Sequence, residues 1–304
     1  MSEFETNLPD GVFTAAITPM NKDLSVNYDA LNNHIRWLLD NGSDGICLLG
    51  TTGEANSFTV EERIKVIDEV IAGGIPAEKL LVGTGCCAHP DTIKLTKRAM
   101  KYNVGGILML PPFYYKGLSD DGISDYFKLV ISEVNDDHMR IYLYHFPVMT
   151  GVPFTVPLLK RLIDENPGII VGMKDSGGDL ENMRNVCESI PGFKMYAGTE
   201  KFLLDTLRLG GPGCITATGN ATVKHAAEVY ANWQTPEADA LQENLNTLRR
   251  AFEVTSFAMG LKYLFSKWRN DPDWLNVRPP NAIPDRDSQQ LLESNLEAID
   301  FTLS

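Results

Sequence analysis

Eight short, almost unbroken hydrophobic runs punctuate the first three quarters of the chain. Each is followed by a stretch whose apolar residues recur at helical spacing. The runs are VFTAAIT at 12–18, GICLLG at 45–50, LLVGTG at 80–85, GILMLP at 106–111, RIYLYHF at 140–146, IIVGMK at 169–174, KMYAG at 194–198 and GCITAT at 213–218. A strand with one wet face would alternate polar and apolar positions. These do not, which is the pattern of strands covered on both faces. Between them TVEERIKVIDEVIAG predicts a helix, with Thr59 and Glu62 at capping-box spacing and Ile64, Ile67, Val70 and Ile71 on one face. NYDALNNHIRWLLDNG predicts another, ended by Gly42 in a position that favours a left-handed cap.

Eight strand–helix units in series suit either a closed parallel barrel or an open doubly wound sheet. The GxGxxG fingerprint of dinucleotide-binding sheets is absent, so the expected fold is α/β, a (β/α)₈ TIM barrel over residues 1–235. Past that point three helical stretches follow with no strand between them, predicting a C-terminal helical segment, 236–304, packed on the barrel. Its aromatic residues Phe252, Phe257, Tyr263, Phe265 and Trp268 read as packing residues, covering either the barrel or an interface between subunits.

Composition narrows the function. With 40 acidic against 27 basic residues the net charge is −13, which offers no footprint for nucleic acid or an anionic membrane surface. The N-terminal residues show no secretory pattern and no apolar run reaches membrane-spanning length, so a cytoplasmic location is expected. The five cysteines form no CxxC pair, consistent with free thiols in a reducing compartment. The five histidines show no ligand spacing, so no metal site is expected.

In such a barrel the chemistry gathers where the strands end. The closing segments are Thr18, GTTGE (50–54), PPFYYK (111–116), YHFP (144–147), KDSGGD (174–179), Gly198 to Glu200 and ITATGN (215–220). Lys174 follows IIVGM directly, inside a buried strand. Desolvation disfavours the ammonium form and leaves a free amine able to attack a carbonyl; an ion pair with Asp175 is the competing reading. Tyr144, on the preceding strand, can move protons or can simply be a core tyrosine whose hydroxyl meets a backbone carbonyl. His145 alternates to the opposite face and is expected outside the barrel. GTTGE lacks the phosphate-loop pattern, and its hydroxyls and N–H groups suit a carboxylate.

Together, GTTGE, PPFYY, YHFP and GMKDSGGD, in that order over about residues 8–235, resemble the N-acetylneuraminate lyase / dihydrodipicolinate synthase family of class I aldolases. The resemblance implies a TIM barrel, a homo-oligomer (tetramer or dimer), a small-molecule 2-keto acid substrate held as an imine, and no other cofactor. It makes Lys174 the Schiff-base lysine and Tyr144 the acid–base tyrosine. Thr51 and Thr52 hold the keto-acid carboxylate, with Thr52 linking Tyr144 to Tyr114, a residue that reaches a neighbouring subunit's site. Ile215 presents its backbone carbonyl to the keto acid, and Gly198, Glu200 and Ser176 complete the substrate-binding set. The expected activity is retro-aldol cleavage or dehydration of a 2-keto-3-deoxy sugar acid. Two alternatives stand beside it: synthase-type condensation of pyruvate with an aldehyde, and a non-catalytic keto-acid-binding role. The synthases' arginine two residues past the YxxP proline is replaced here by Met149, which cannot grip a carboxylate. Of the sialic-acid lyases' tail-binding residues only Glu200 has a counterpart.

Overall fold

The computed structural model describes residues 4–303. Its strands are β1 (Gly11–Ala15), β2 (Gly45–Leu48), β3 (Leu80–Gly83), β4 (Gly106–Met109), β5 (Ile141–His145), β6 (Ile170–Asp175), β7 (Lys194–Ala197) and β8 (Gly213–Thr216). All pair in parallel, each with its sequence neighbour, and β8 closes on β1, so the sheet is a closed barrel as expected. The outer helices are α1 (Tyr28–Asp40), α2 (Val60–Ala72), α3 (His89–Met100), α4 (Asp120–Val134), the short α5 (Pro147–Thr150), α6 (Val156–Glu165), α7 (Leu180–Ser189), α8 (Leu203–Arg208) and α9 (Gly219–Asn232). GTGCCA at 83–88, the alanine-ended form of the dinucleotide fingerprint, leads here from β3 into α3 of a closed barrel.

Three aromatic rings fill the amino-terminal half of the barrel. Phe13 and Tyr142 each meet Tyr196 edge to face, at 5.7 and 5.8 Å. Rings this large leave no room for side chains beside them: a methyl at Gly106 or Gly172 would lie 2.8 or 2.6 Å from the Tyr142 ring. Large and small residues therefore alternate around the interior. With the lower half plugged, only the carboxyl end of the barrel is open for chemistry.

The helices follow local signals, with one shift. Thr59 and Glu62 form the expected capping box at the start of α2, and Gly42 takes φ +105° just past α1. The buried face of α2 is centred on Arg63, Val66, Ile67 and Val70, leaving Ile64 and Ile71 only half-covered. Arg63 turns inward because its guanidinium donates to the Gly83 carbonyl at 2.9 Å and meets the Cys86 sulfur at 3.1 Å.

The C-terminal segment forms α10 (Ala238–Phe252), α11 (Phe257–Trp268) and α12 (Arg286–Glu297). Phe252, Leu261, Phe265 and Leu292 share a hydrophobic cluster with Ile17 and Ala221 of the barrel. The segment packs on the barrel and covers part of its open end. Among the described residues no helix is long and apolar enough to cross a membrane.

Candidate active site

The carboxyl end of the barrel holds a cavity of about 540 Å³, within the range usual for small-molecule sites. Lys174, the penultimate residue of β6, lies on its wall and is 4% exposed. Strand register sets it opposite Tyr144 in β5 and Tyr196 in β7. Its Nζ sits 4.6 Å from the centroid of the Tyr144 ring, and among the described residues no carboxylate pairs with it. Asp175 is engaged elsewhere. It points to the outer face, where its carboxylate accepts from the Gly177 N–H and from Asn182 Nδ2, both at 2.7 Å. The ion-pair reading of Lys174 therefore falls.

His145, beside Asp175 in register, also faces outward as alternation requires. Its Nδ1 accepts from the Phe154 N–H at 3.1 Å. Burial pushes its pKa down, and the nearby Asp175 carboxylate offsets part of that. Burial pushes Asp175 up, and His145 opposes it. The pair packs the sheet against its helices and does not reach the cavity.

Tyr144 is almost fully buried, lines the cavity, and stacks on Phe146 with centroids 5.6 Å apart and 25° between planes. Among the described residues its hydroxyl has no hydrogen-bond partner, so the core-tyrosine reading does not hold. Thr51, Thr52, Ser176 and Gly198 line the same cavity. Gly198 has a steric reason to be glycine, since a Cβ there would lie 2.1 Å from Ser176 Oγ. The loop carrying the threonines is fixed from behind. Glu54 adopts a left-handed backbone (φ 58°), and its carboxylate pairs with the fully buried Lys262 of α11 and accepts from Asn281 Nδ2 at 3.3 Å.

Three of the expected site residues stand elsewhere in the single chain. Glu200, expected to touch substrate, is fully buried and does not line the cavity. The Thr216 and Thr218 hydroxyls and Arg249 Nη1 (2.7 Å) occupy its carboxylate. Ile215 is fully buried within β8, and Ala217, two residues on, is the one that reaches the wall. Tyr114 is 74% exposed, edge to face with Tyr115 and outside this cavity, so the link from Tyr144 through Thr52 to Tyr114 is not formed within one chain.

Another part of the cavity wall escaped the sequence reading. It comes from α10, α11 and the turn between them: Arg249, Glu253, Ser256, Phe257 and Met259. Phe257 packs against the C-terminal hydrophobic cluster, as expected, and also lies under the Arg249 guanidinium at 4.5 Å. Nothing in TLRRAFEV separates Arg249 from its neighbour Arg250; only the helix's placement does. Among the described residues no cluster of three or more His, Cys, Asp or Glu side chains stands where it could hold a metal.

The closed parallel barrel, with a buried lysine and a tyrosine in the wall of the cavity at its carboxyl end, is a (β/α)₈ barrel whose site lies where enzymes of this fold carry theirs. Residues 8–299 match the model of the dihydrodipicolinate synthetase family, and the chain belongs to that family. The match extends beyond the barrel to include the C-terminal helices. A protein from Chloroflexus aurantiacus named as an uncharacterised DapA-like lyase is 34% identical over 90% of this chain and 91% of its own. A probable 2-dehydro-3-deoxy-D-pentonate aldolase, YjhH of Escherichia coli K12, is 29% identical over 83% of this chain and 85% of its own. Among solved structures, YagE of E. coli K12, a family member in complex with pyruvate, superposes with a TM-score of 0.87. It is 25% identical over 96% of this chain and 99% of that one.

Proposed function

We propose that Lys174 captures the C2 ketone of a 2-keto acid as an imine and that the chain cleaves or dehydrates a 2-keto-3-deoxy sugar acid. The observation that carries this is the Lys174 amine: buried in the cavity wall, without a carboxylate partner among the described residues, and set against Tyr144. Its Nζ lone pair adds to C2, and the carbinolamine loses water as Tyr144 gives its proton to the departing hydroxyl, leaving an iminium ion and a Tyr144 oxygen free to accept a proton. For cleavage, Tyr144 takes the proton of the C4 hydroxyl. The C3–C4 bond breaks toward the iminium, releasing an aldehyde and leaving an enamine. Protonation at C3 and hydrolysis of the imine then release pyruvate and restore the amine. For dehydration Tyr144 takes the C3 proton instead and gives it to the departing C4 hydroxyl, which leaves as water. Thr51 and Thr52 hold the C1 carboxylate. No step calls on a metal or an organic cofactor.

Met149 lines the cavity where a synthase-type arginine would stand, so condensation with a carboxylated aldehyde is the weaker reading. A non-catalytic binding role has no use for a buried amine beside an acid–base tyrosine. Tyr114, Tyr115, Val148 and Met149 are 74, 69, 81 and 60% exposed. We read this apolar group near the mouth as the seat of a second copy in a dimer or tetramer, with Tyr114 reaching the neighbour's cavity. The five unpaired cysteines suit a cytoplasmic home.

The test is intact mass after incubation with pyruvate and borohydride. A reduced pyruvyl adduct is expected on the native chain and not on Lys174→Ala. No adduct on the folded native protein, with pyruvate or with longer keto acids, would overturn the imine.

A further inference from the structure

Arg249 reaches the cavity from outside the barrel, yet it is held as firmly as a barrel residue. Its side chain is 11% exposed. Nη1 donates to Glu200 Oε2 at 2.7 Å, Nε donates to Glu253 Oε1 at 3.2 Å, and the guanidinium plane covers Phe257. Glu200 is fully buried, and Arg249 is the cation its carboxylate pairs with. Removing such a charge from water is costly and needs a fixed counter-ion, so Glu200 anchors Arg249 in place. The anchoring leaves Nη2 with two N–H donors and, among the described residues, no protein acceptor.

Resting on the imine reading above, we propose that Arg249 and Glu253 recognise the substrate's tail, and that this tail is hydroxylated and uncharged. A keto acid joined to Lys174, with its carboxylate at Thr51 and Thr52, extends C4 and beyond toward the remaining wall. There Ser176, Thr199, Lys201, Arg249, Glu253 and Ser256 line the cavity. The two cations on this wall, Lys201 and Arg249, are matched by Glu253 on the wall and by Glu200 buried behind it. A balanced wall gives a second carboxylate no net attraction, and a bare alkyl tail would leave Nη2 and the second oxygen of Glu253, Oε2, without protein partners among the described residues. A hydroxyl satisfies both at once, accepting from Nη2 and donating to Glu253. The distal selectivity that the synthases place just after the YxxP motif is supplied here from the C-terminal helices.

The experiment measures kcat and KM for three substrates: a 2-keto-3-deoxy aldonate, its dicarboxylate counterpart, and a 2-keto-4-hydroxy acid with an alkyl tail. Borohydride capture of pyruvate, which has no tail, runs in parallel as the reference. The native chain is expected to favour the aldonate. Arg249→Met is expected to raise KM for the aldonate roughly 10- to 100-fold while pyruvate is still captured. Because that variant strands Glu200, the double variant Glu200→Gln/Arg249→Met, which removes both charges, and Glu253→Gln are measured too. Both are expected to lose preference for the aldonate over the alkyl-tailed acid. Unchanged KM and preference in folded variants, or a native preference for the dicarboxylate, would overturn the tail assignment while leaving the imine intact. Absence of pyruvate capture by the native chain would instead overturn the imine reading itself, and the tail assignment with it.

Discussion

Tyr144 and Lys174 divide the proposed chemistry, and single substitutions separate their roles. Tyr144→Phe keeps the ring against Lys174 and Phe146 but removes the only proton it can move. Pyruvate capture should persist while kcat for cleavage falls about 10²- to 10⁴-fold, measured by aldehyde release. His34 makes a separate prediction about stability. It is fully buried, bonded to Asn220 Oδ1 at 2.8 Å, and burial lowers its pKa from 6.5 to about 4. The unfolded chain therefore binds a proton between those values while the folded chain does not. His34's contribution is complete above pH 6.5 and is lost as pH falls toward 4, by about 3 kcal/mol for a shift of that size. Urea midpoints at pH 7 and pH 5 should differ more for the native chain than for His34→Gln. At this scale Lys174 was legible because a lysine ending an apolar strand is rare without a purpose. Glu200 was misread because its neighbours Thr216, Thr218 and Arg249 are remote in sequence, and it is they that take up its oxygens.

Elements were legible where a local motif suffices. The capping box of α2 and the hydrophobic strand runs need only neighbours a few residues apart. The inward face of α2 was less so, because Arg63 is buried by partners on β3 and the following loop. Glu62 also has a partner invisible to the motif: Arg278, a bidentate contact from the far end of the chain. That pairing, more than the cap, lowers the Glu62 pKa from 4.5 to about 2. A carboxylate lowered on folding adds stability that is full above pH 4.5 and is lost as pH falls toward 2. Arg278→Met should therefore lower the melting temperature at pH 7, and the gap to the native chain should narrow as pH drops through that range. Asn220 bridges elements too, accepting from the Ile17 N–H and His34 and donating to Ala15 and Ala217 carbonyls where the barrel's last and first strands meet. Asn220→Ala should cost about 2–4 kcal/mol in urea denaturation, since several buried groups lose partners together.

At the scale of the whole molecule the C-terminal helices belong to the site. Lys262 of α11 grips Glu54 behind Thr51 and Thr52, and Arg278 grips Glu62 at the start of α2. The expected boundary near residue 235 lies in the link between α9 and α10, but the hydrophobic cluster beyond it includes barrel residues. Lys262→Met leaves a buried carboxylate uncompensated and should destabilise the chain by about 3–5 kcal/mol in urea denaturation. It should also raise KM for pyruvate capture by loosening the 50–54 loop. A single thermal transition is expected for the native chain, with barrel and extension melting together.

Sequence alone determined the barrel, because strands covered on both faces and helices with one apolar stripe leave few ways to pack, and β-end residues mark where chemistry collects. It also singled out Lys174 and Tyr144, whose positions follow from the strands that carry them. Only the tertiary structure decided what surrounds them. Part of the cavity wall is built by Arg249, Glu253 and Phe257, from two helices and the turn between them more than seventy residues past Lys174, and Glu200 was withdrawn from it by a buried network. Charge balance within a cavity is a sum over residues distant in the chain, and no local pattern contains it.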